Sequence, residues 1–137
     1  MSSYRIFKSF RFEAAHHLTG LPEGHQCSRV HGHSYRITVI LESDSLVIPG
    51  FVADFGDLGP VKKWIDSTMD HQDLNEVLGP WWVAAGLEED TAPTSEHLAE
   101  LVYNVVRYAL SLPLGVTDAL VAVRISETET SCAEYRP

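Results

Sequence analysis

The chain has 137 residues, with 10 Lys and Arg against 19 Asp and Glu and a formal net charge of -9. Its hydrophobic share of 45% and charged share of 21% are those of a soluble globular protein, and the length suits one domain over residues 1–137 with a core of its own. No apolar run approaches the ~20 residues that cross a bilayer, and no basic stripe suits nucleic acid, so neither membrane nor nucleic-acid partners are expected.

"MSSYRIFKSFRFE" lacks the apolar block of an export signal, and Cys27 and Cys132 are too few for a disulfide framework. A cytoplasmic location is expected. "SFRFEAAHH" alternates, with Phe10, Phe12, Ala14 and His16 on one face and Arg11 and Glu13 on the other, which predicts a strand ending at His16. Gly and Pro in "LTGLPEGHQ" stop it, leaving Cys27 in or just after a loop. Alternation resumes at His31: His31, His33, Tyr35, Ile37, Val39 and Leu41 share one face, and Ser34, Arg36, Thr38 and Glu42 the other.

Phe51–Phe55 reads as short and extended, and Asp57–Met69 as a helix capped by Asp57 with Pro60 in its first turn. "NEVLGPWWVAAGLEEDTAP" reads as a loop, packed rather than a lid. A second helix follows a Thr94 or Ser95 cap, with Leu98, Leu101, Val102, Val105 and Ala109 on one stripe, and ends at Pro113 and Gly115. Ala119, Val121, Val123 and Ile125 predict a third strand whose row continues to Glu127, and Cys132–Arg136 a short fourth. The order is ββααββ, an α+β domain with an antiparallel four-stranded sheet and two helices on one face.

Three of the seven histidines, His25, His31 and His33, lie within six residues of Cys27. Residues two apart on a strand point the same way, so His31 and His33 project together past Gly32, which leaves room for close approach. If the strands pair, His16 supplies a third imidazole. Three neutral histidines with an open fourth position are the pattern of a catalytic zinc site; the plain alternative is three hydrogen-bonded strand histidines. Cys27 reads as a reactive thiol beside histidines or as a fourth ligand closing the site. Asp70-His71 reads as a proton relay or as surface charge at a helix end. Glu127, a carboxylate in a core-facing row, needs either an arginine or a ligand edge with adjacent N–H donors.

"FRFEAAHHL", "PEGHQCSRVHGHSY", "VADFGDL", "DHQDLN", "PTSEHLAE" and "SETETSCAEYRP" occur in this order. Together they resemble the 6-pyruvoyl-tetrahydropterin synthase superfamily, and within it the bacterial 6-carboxytetrahydropterin synthases of queuosine biosynthesis. The Cys-x3-His-Gly-His spacing favours that branch, because the pyruvoyl-forming branch typically sets its cysteine further from the HGH. The resemblance implies the tunnelling fold, with subunits closing a barrel as trimers that stack into hexamers and share active sites. It implies zinc on His16, His31 and His33, a catalytic thiol at Cys27, and a relay at Asp70 and His71. It also implies a pterin anchor at Glu127 with Thr128 beside it, and pterin contacts from Thr94 and Ser95 across a subunit boundary. His25 and Arg29 are expected near the triphosphate of the substrate from local charge alone. The implied reaction converts dihydroneopterin triphosphate to 6-carboxytetrahydropterin and acetaldehyde. The competing readings are a pyruvoyl-type synthase or promiscuous pterin lyase, and a zinc-dependent pterin-binding module without turnover.

Overall fold

The alternation at the start of the chain becomes a long antiparallel pair. In the computed structural model, which describes residues 2–137, β1 (Tyr4–His16) runs against β2 (His31–Ser43) in unbroken register from Tyr4↔Ser43 to His16↔His31. Paired residues share a face, so the row Phe10, Phe12, Ala14, His16 lies with Tyr35, Ile37, Val39 and Leu41. That face carries the core. β4 (Leu120–Thr128) pairs with β2, and β5 (Ser131–Tyr135) pairs with β4.

The sheet differs from expectation by one strand. β3 (Gln72–Asp73) lies parallel to β1 beside Ala14 and Ala15, giving a five-stranded mixed sheet in the order β3-β1-β2-β4-β5. Two residues carry no periodicity, so only tertiary contact creates this strand. The expected four-stranded antiparallel sheet is corrected accordingly.

Helix α1 (Gly59–Thr68) buries Val61, Trp64 and Ile65, with Pro60 in its first turn as expected. Asp57 is not its cap. Asp54 instead caps a short 3-10 turn, Phe55–Leu58, by accepting the Gly56 N–H at 2.8 Å, and α1 continues from that turn. The stretch expected to be a loop holds two short helices, α2 (Leu74–Val77) and α3 (Gly79–Ala84). Leu74, Leu78 and Trp82, four residues apart, all face inward, and Trp82 is only 2% exposed. Gly79 and Pro80 sit in the first turn of α3, where a missing N–H costs nothing.

Helix α4 (Ser95–Asn104) starts at Thr94, whose hydroxyl accepts the His97 N–H at 3.1 Å. A π-helical turn, Val105–Ala109, follows. Its extra residue per turn rotates the stripe, so Ala109 is exposed rather than in the core. Pro113 does not end the helix but precedes a further short one, α5 (Leu114–Ala119). In β4 the register slips where Leu41 pairs with Leu120 and Ile40 with Ala122, leaving Val121 as an extra, half-buried residue. Beyond the bulge Val123 and Ile125 return to the core face as expected. Among the described residues, no helix is long and apolar enough to cross a membrane.

Because Trp82 seats the 74–84 segment in the core, Trp82→Ala is expected to cost about 3–5 kcal/mol in urea unfolding. A loss below about 1 kcal/mol, the range of ordinary surface changes, would show that this segment is only draped over the core.

Candidate active site

The β1–β2 register sets His16 opposite His31 and Ala14 opposite His33, so three imidazoles gather at one end of the hairpin. One ligand nitrogen from each lies within 4.8 Å of the others. Ring centroids are 4.6 Å apart for His16 and His31, 5.0 Å for His16 and His33, and 4.9 Å for His31 and His33. His16 is 1% exposed.

Two carbonyls set the tautomers. His16 Nδ1 lies 2.8 Å from the Pro93 oxygen, and His31 Nδ1 lies 2.7 Å from the Arg29 oxygen. A carbonyl only accepts, so each Nδ1 carries the proton and each Nε2 keeps a lone pair. The Nε2 atoms of His16 and His33 are sealed from solvent without a hydrogen-bond partner. Burial, the largest influence on His16, lowers its pKa and favours the neutral, ligating form. Buried lone pairs with no donor are costly, and a divalent cation at their meeting point would remove that cost. The donor set therefore fits a metal.

Cys27 sits in a 3-10 turn, Gln26–Ser28, whose start is held by His25: the Cys27 N–H donates to His25 Nδ1 at 3.1 Å. The Cys27 carbonyl accepts the Leu18 N–H at 2.8 Å, tying the loop to the end of β1. The thiol is free and half-buried. Cys27, Arg29, His31 and His33 line one cleft of about 520 Å³. His25 and Arg29 thus have identifiable structural work at the Cys27 turn and at His31.

Glu127 follows Ile125 on the inward row of β4. Among the described residues its ion-pair contact is not an arginine but His33, with Oε2 3.7 Å from Nε2. Tyr35, the next residue in the His31–His33 row, is fully buried, stacks on Phe12 at 4.7 Å between centroids, and leaves its hydroxyl without a partner. Burial, then Glu127, pushes its pKa up. It forms the floor beneath the histidines, a role the HGHSY alternation already placed within reach. Thr128 is exposed, and its hydroxyl pairs with that of Ser131 at 2.8 Å in the β4–β5 turn. Thr94 caps α4, so it and Ser95 reach this end of the sheet beside Pro93.

Asp70 and His71 lie at the edge of β1. Asp70 Oδ1 accepts the Glu13 N–H at 2.9 Å, and Oδ2 stands 3.0 Å from His71 Nδ1. His71 adopts φ 60, a left-handed conformation rare outside glycine, and its N–H donates to the Glu13 carbonyl at 2.6 Å. Its ring is open to solvent and lines a cavity of about 540 Å³ with Glu13, Ala15, Gly32, Ser34 and Asp73. An added Cβ on Gly32 would meet only the Ala14 carbonyl, at an ordinary 3.6 Å. Packing within its own chain therefore does not require glycine at position 32, which lines that cavity. The clefts holding Cys27 and His71 have only His33 in common. The carbonyls of Pro93 and Arg29 were invisible to sequence reasoning, because backbone acceptors leave no mark on residue identity.

The Glu13 N–H, and next the His71 ring, hold the Asp70 carboxyl below its ordinary value. A depressed carboxylate contributes stability that is present above its unfolded pKa and lost as pH falls through the folded value. Stability should therefore fall less steeply below about pH 4 in Asp70→Asn than in the wild type, read from urea midpoints across that range. Parallel acid profiles for the two proteins would remove this role for Asp70.

A family model described as 6-pyruvoyl tetrahydropterin synthase matches residues 5–137. The chain is 34% identical over 139 residues to a Bacillus subtilis protein named 6-carboxy-5,6,7,8-tetrahydropterin synthase, across 98% of this chain and 86% of that one. A Synechocystis protein of the same name is 38% identical over 135 residues, across 95% of this chain and 91% of its own. Among solved structures, Caenorhabditis elegans 6-pyruvoyl tetrahydropterin synthase shares the fold with a TM-score of 0.80 at 23% identity, covering 100% of this chain and 97% of that one. Matched along nearly all its length, the chain belongs to the 6-pyruvoyl tetrahydropterin synthase family, as a lyase resembling the 6-carboxytetrahydropterin synthases.

Proposed function

We propose that the protein is a zinc-dependent lyase that converts 7,8-dihydroneopterin triphosphate and water to 6-carboxy-5,6,7,8-tetrahydropterin, acetaldehyde and triphosphate, within queuosine and 7-deazapurine biosynthesis. The observation that carries this reading is the convergence of His16, His31 and His33, with His31 and His33 lining the cleft that also holds the free Cys27. The names of the relatives and the Cys-x3-His-Gly-His spacing support the carboxy-forming branch.

His16, His31 and His33 hold zinc through Nε2 of at least the two carbonyl-fixed rings. When bound, zinc lowers the pKa of the adjacent hydroxyls of the substrate side chain and keeps that chain still. Glu127, whose ion-pair contact among the described residues is His33 rather than an arginine, accepts the paired N–H donors of the pterin ring. Cys27 takes a proton from the side-chain carbon, and His71, oriented by Asp70, gives or takes one on the side served by its own cavity. The ring is reduced at the expense of its side chain, so no nicotinamide or flavin takes part.

A homo-oligomer, as hexamer, completes the site. Among the described residues, the outer edge of β1 beyond Ala14 and Ala15 has no strand partner, and β5 has a free edge too. Pairing these edges between copies closes the sheet and brings one copy's groups, Thr94 and Ser95 among them, to another's cleft. A shared site also gives an anionic substrate cationic neighbours despite the acidic total.

Purified protein given dihydroneopterin triphosphate should release acetaldehyde with 6-carboxytetrahydropterin; a pyruvoyl product would assign it to the other branch. Cys27→Ala should lower turnover by at least about 100-fold while zinc content and assembly stay unchanged. Loss of the metal from that variant would instead make Cys27 a permanent ligand. His31→Ala should lose most bound zinc by elemental analysis, and full occupancy would discredit the three-histidine centre.

A further inference from the structure

The end of β1 is where His16 leaves the sheet, and a strand terminus with one free edge frays unless something ties it down. Five residues on the outer edge, Glu13 to His17, are tied by a single segment, Asp70–Asn75. Asp70 accepts the Glu13 N–H, His71 donates to the Glu13 carbonyl, and Gln72 and Asp73 pair with Ala14 and Ala15. At the next step the main chain of this segment turns away into α2 and offers nothing to His17.

Asn75 supplies what is missing. Its Oδ1 accepts the His17 N–H at 2.9 Å, and its Nδ2 donates to the His17 carbonyl at 3.0 Å. A carboxamide has the donor and acceptor of a peptide unit, so this side chain continues the ladder by one rung where no strand residue stands. Its own position is fixed. The Asn75 N–H donates to Asp73 Oδ1 at 3.0 Å, and the preceding Leu74 is fully buried. The rung is therefore preorganised by the turn that opens α2, and it acts on the residue bonded directly to His16.

We propose that Asn75 is the positioning residue for the metal centre, holding the His16 backbone in register through His17 so that the buried imidazole meets His31 and His33. The inference rests on the reading that these histidines bind a metal. Asn75 touches neither ring nor ion. Its effect is on the strand end, where His16 is fixed from three sides: by its β2 partner His31, by the Pro93 carbonyl on its ring, and by this carboxamide. Losing the third should let the ring wander without unfolding the sheet.

The test compares wild type, Asn75→Ala and Asn75→Asp with Leu120→Val, a core change at the opposite end of the sheet, beside Leu41, that lowers global stability alone. In metal-free protein, amide exchange at Ala15 and His17 should quicken in Asn75→Ala while Val39 stays protected. Zinc affinity, from competition with a chromophoric chelator under conditions where all variants are folded, should weaken about 10–100-fold in Asn75→Ala, the range seen for lost outer-shell partners. The visible bands of the cobalt(II)-loaded protein should change with it, and Leu120→Val should change neither. Asn75→Asp keeps an acceptor for the His17 N–H but faces its carbonyl with a second oxygen, so it too should bind zinc more weakly. Wild-type zinc affinity with wild-type His17 protection in Asn75→Ala would overturn the proposal. If Asn75→Ala fails to fold, wild-type affinity in Asn75→Asp would do so. A wild-type protein that binds no zinc would sink the functional reading, whereas the exchange arm would still report on the Asn75 rung.

Discussion

Everything at the site depends on the β1–β2 register. Pairing His16 with His31, rather than with either neighbour, sets three imidazoles on the core face of the sheet. A slip of one residue would turn His31 and His33 to the opposite face, because side chains alternate with a period of two. The register is held by Phe10, Phe12, Tyr35, Ile37 and Val39, all buried on that face, from the floor of the site outward. The hydrophobic core and the histidine cluster are thus one row of residues read at two ends. Burial that stabilises the apolar end also seals the Nε2 atoms of His16 and His33 from water at the other.

That sealing gives the cluster its chemistry. His16, buried and with its Nδ1 proton committed to the Pro93 carbonyl, and His31, whose Nδ1 proton goes to the Arg29 carbonyl, keep their Nε2 lone pairs for the centre of the cluster. Glu127 adds one carboxylate at the rim, close to His33. Tyr35 closes the floor with an apolar ring stacked on Phe12. Cys27 stands on a short turn in the loop between β1 and β2, and His71 on a left-handed residue at the sheet edge. Strands thus carry the three histidines, and connecting segments carry the free thiol and the Asp70–His71 pair.

The segment Asp70–Asn75 has two duties that its residue types alone do not separate. Asp70 and His71 form a carboxylate–imidazole pair, yet the same Asp70 and the His71 main chain also tie Glu13, and the segment ends with Asn75 gripping His17. A compact run of polar residues thus both presents a carboxylate–imidazole pair and ties the end of the strand that carries His16. Substitutions here will mix chemical and structural effects unless metal binding and amide protection are followed separately.

Periodicity in the sequence determined the two long strands, their inward faces and the histidine row, because burial of one face imposes a two-residue repeat that pairing then preserves; it left the α4 cap between Thr94 and Ser95, and the fold took Thr94. The motifs determined the family. Tertiary structure alone decided the parallel β3, the two short helices around Trp82, the bulge at Val121 and the phase shift after Asn104. It also decided which carbonyls hold His16 and His31, and that the Cys27 and His71 clefts meet only at His33. Each of these is a contact between residues distant in the chain, or a choice by the backbone over one or two residues. Neither repeats often enough to leave a pattern, so the local sequence permits them and only the packed neighbours select them.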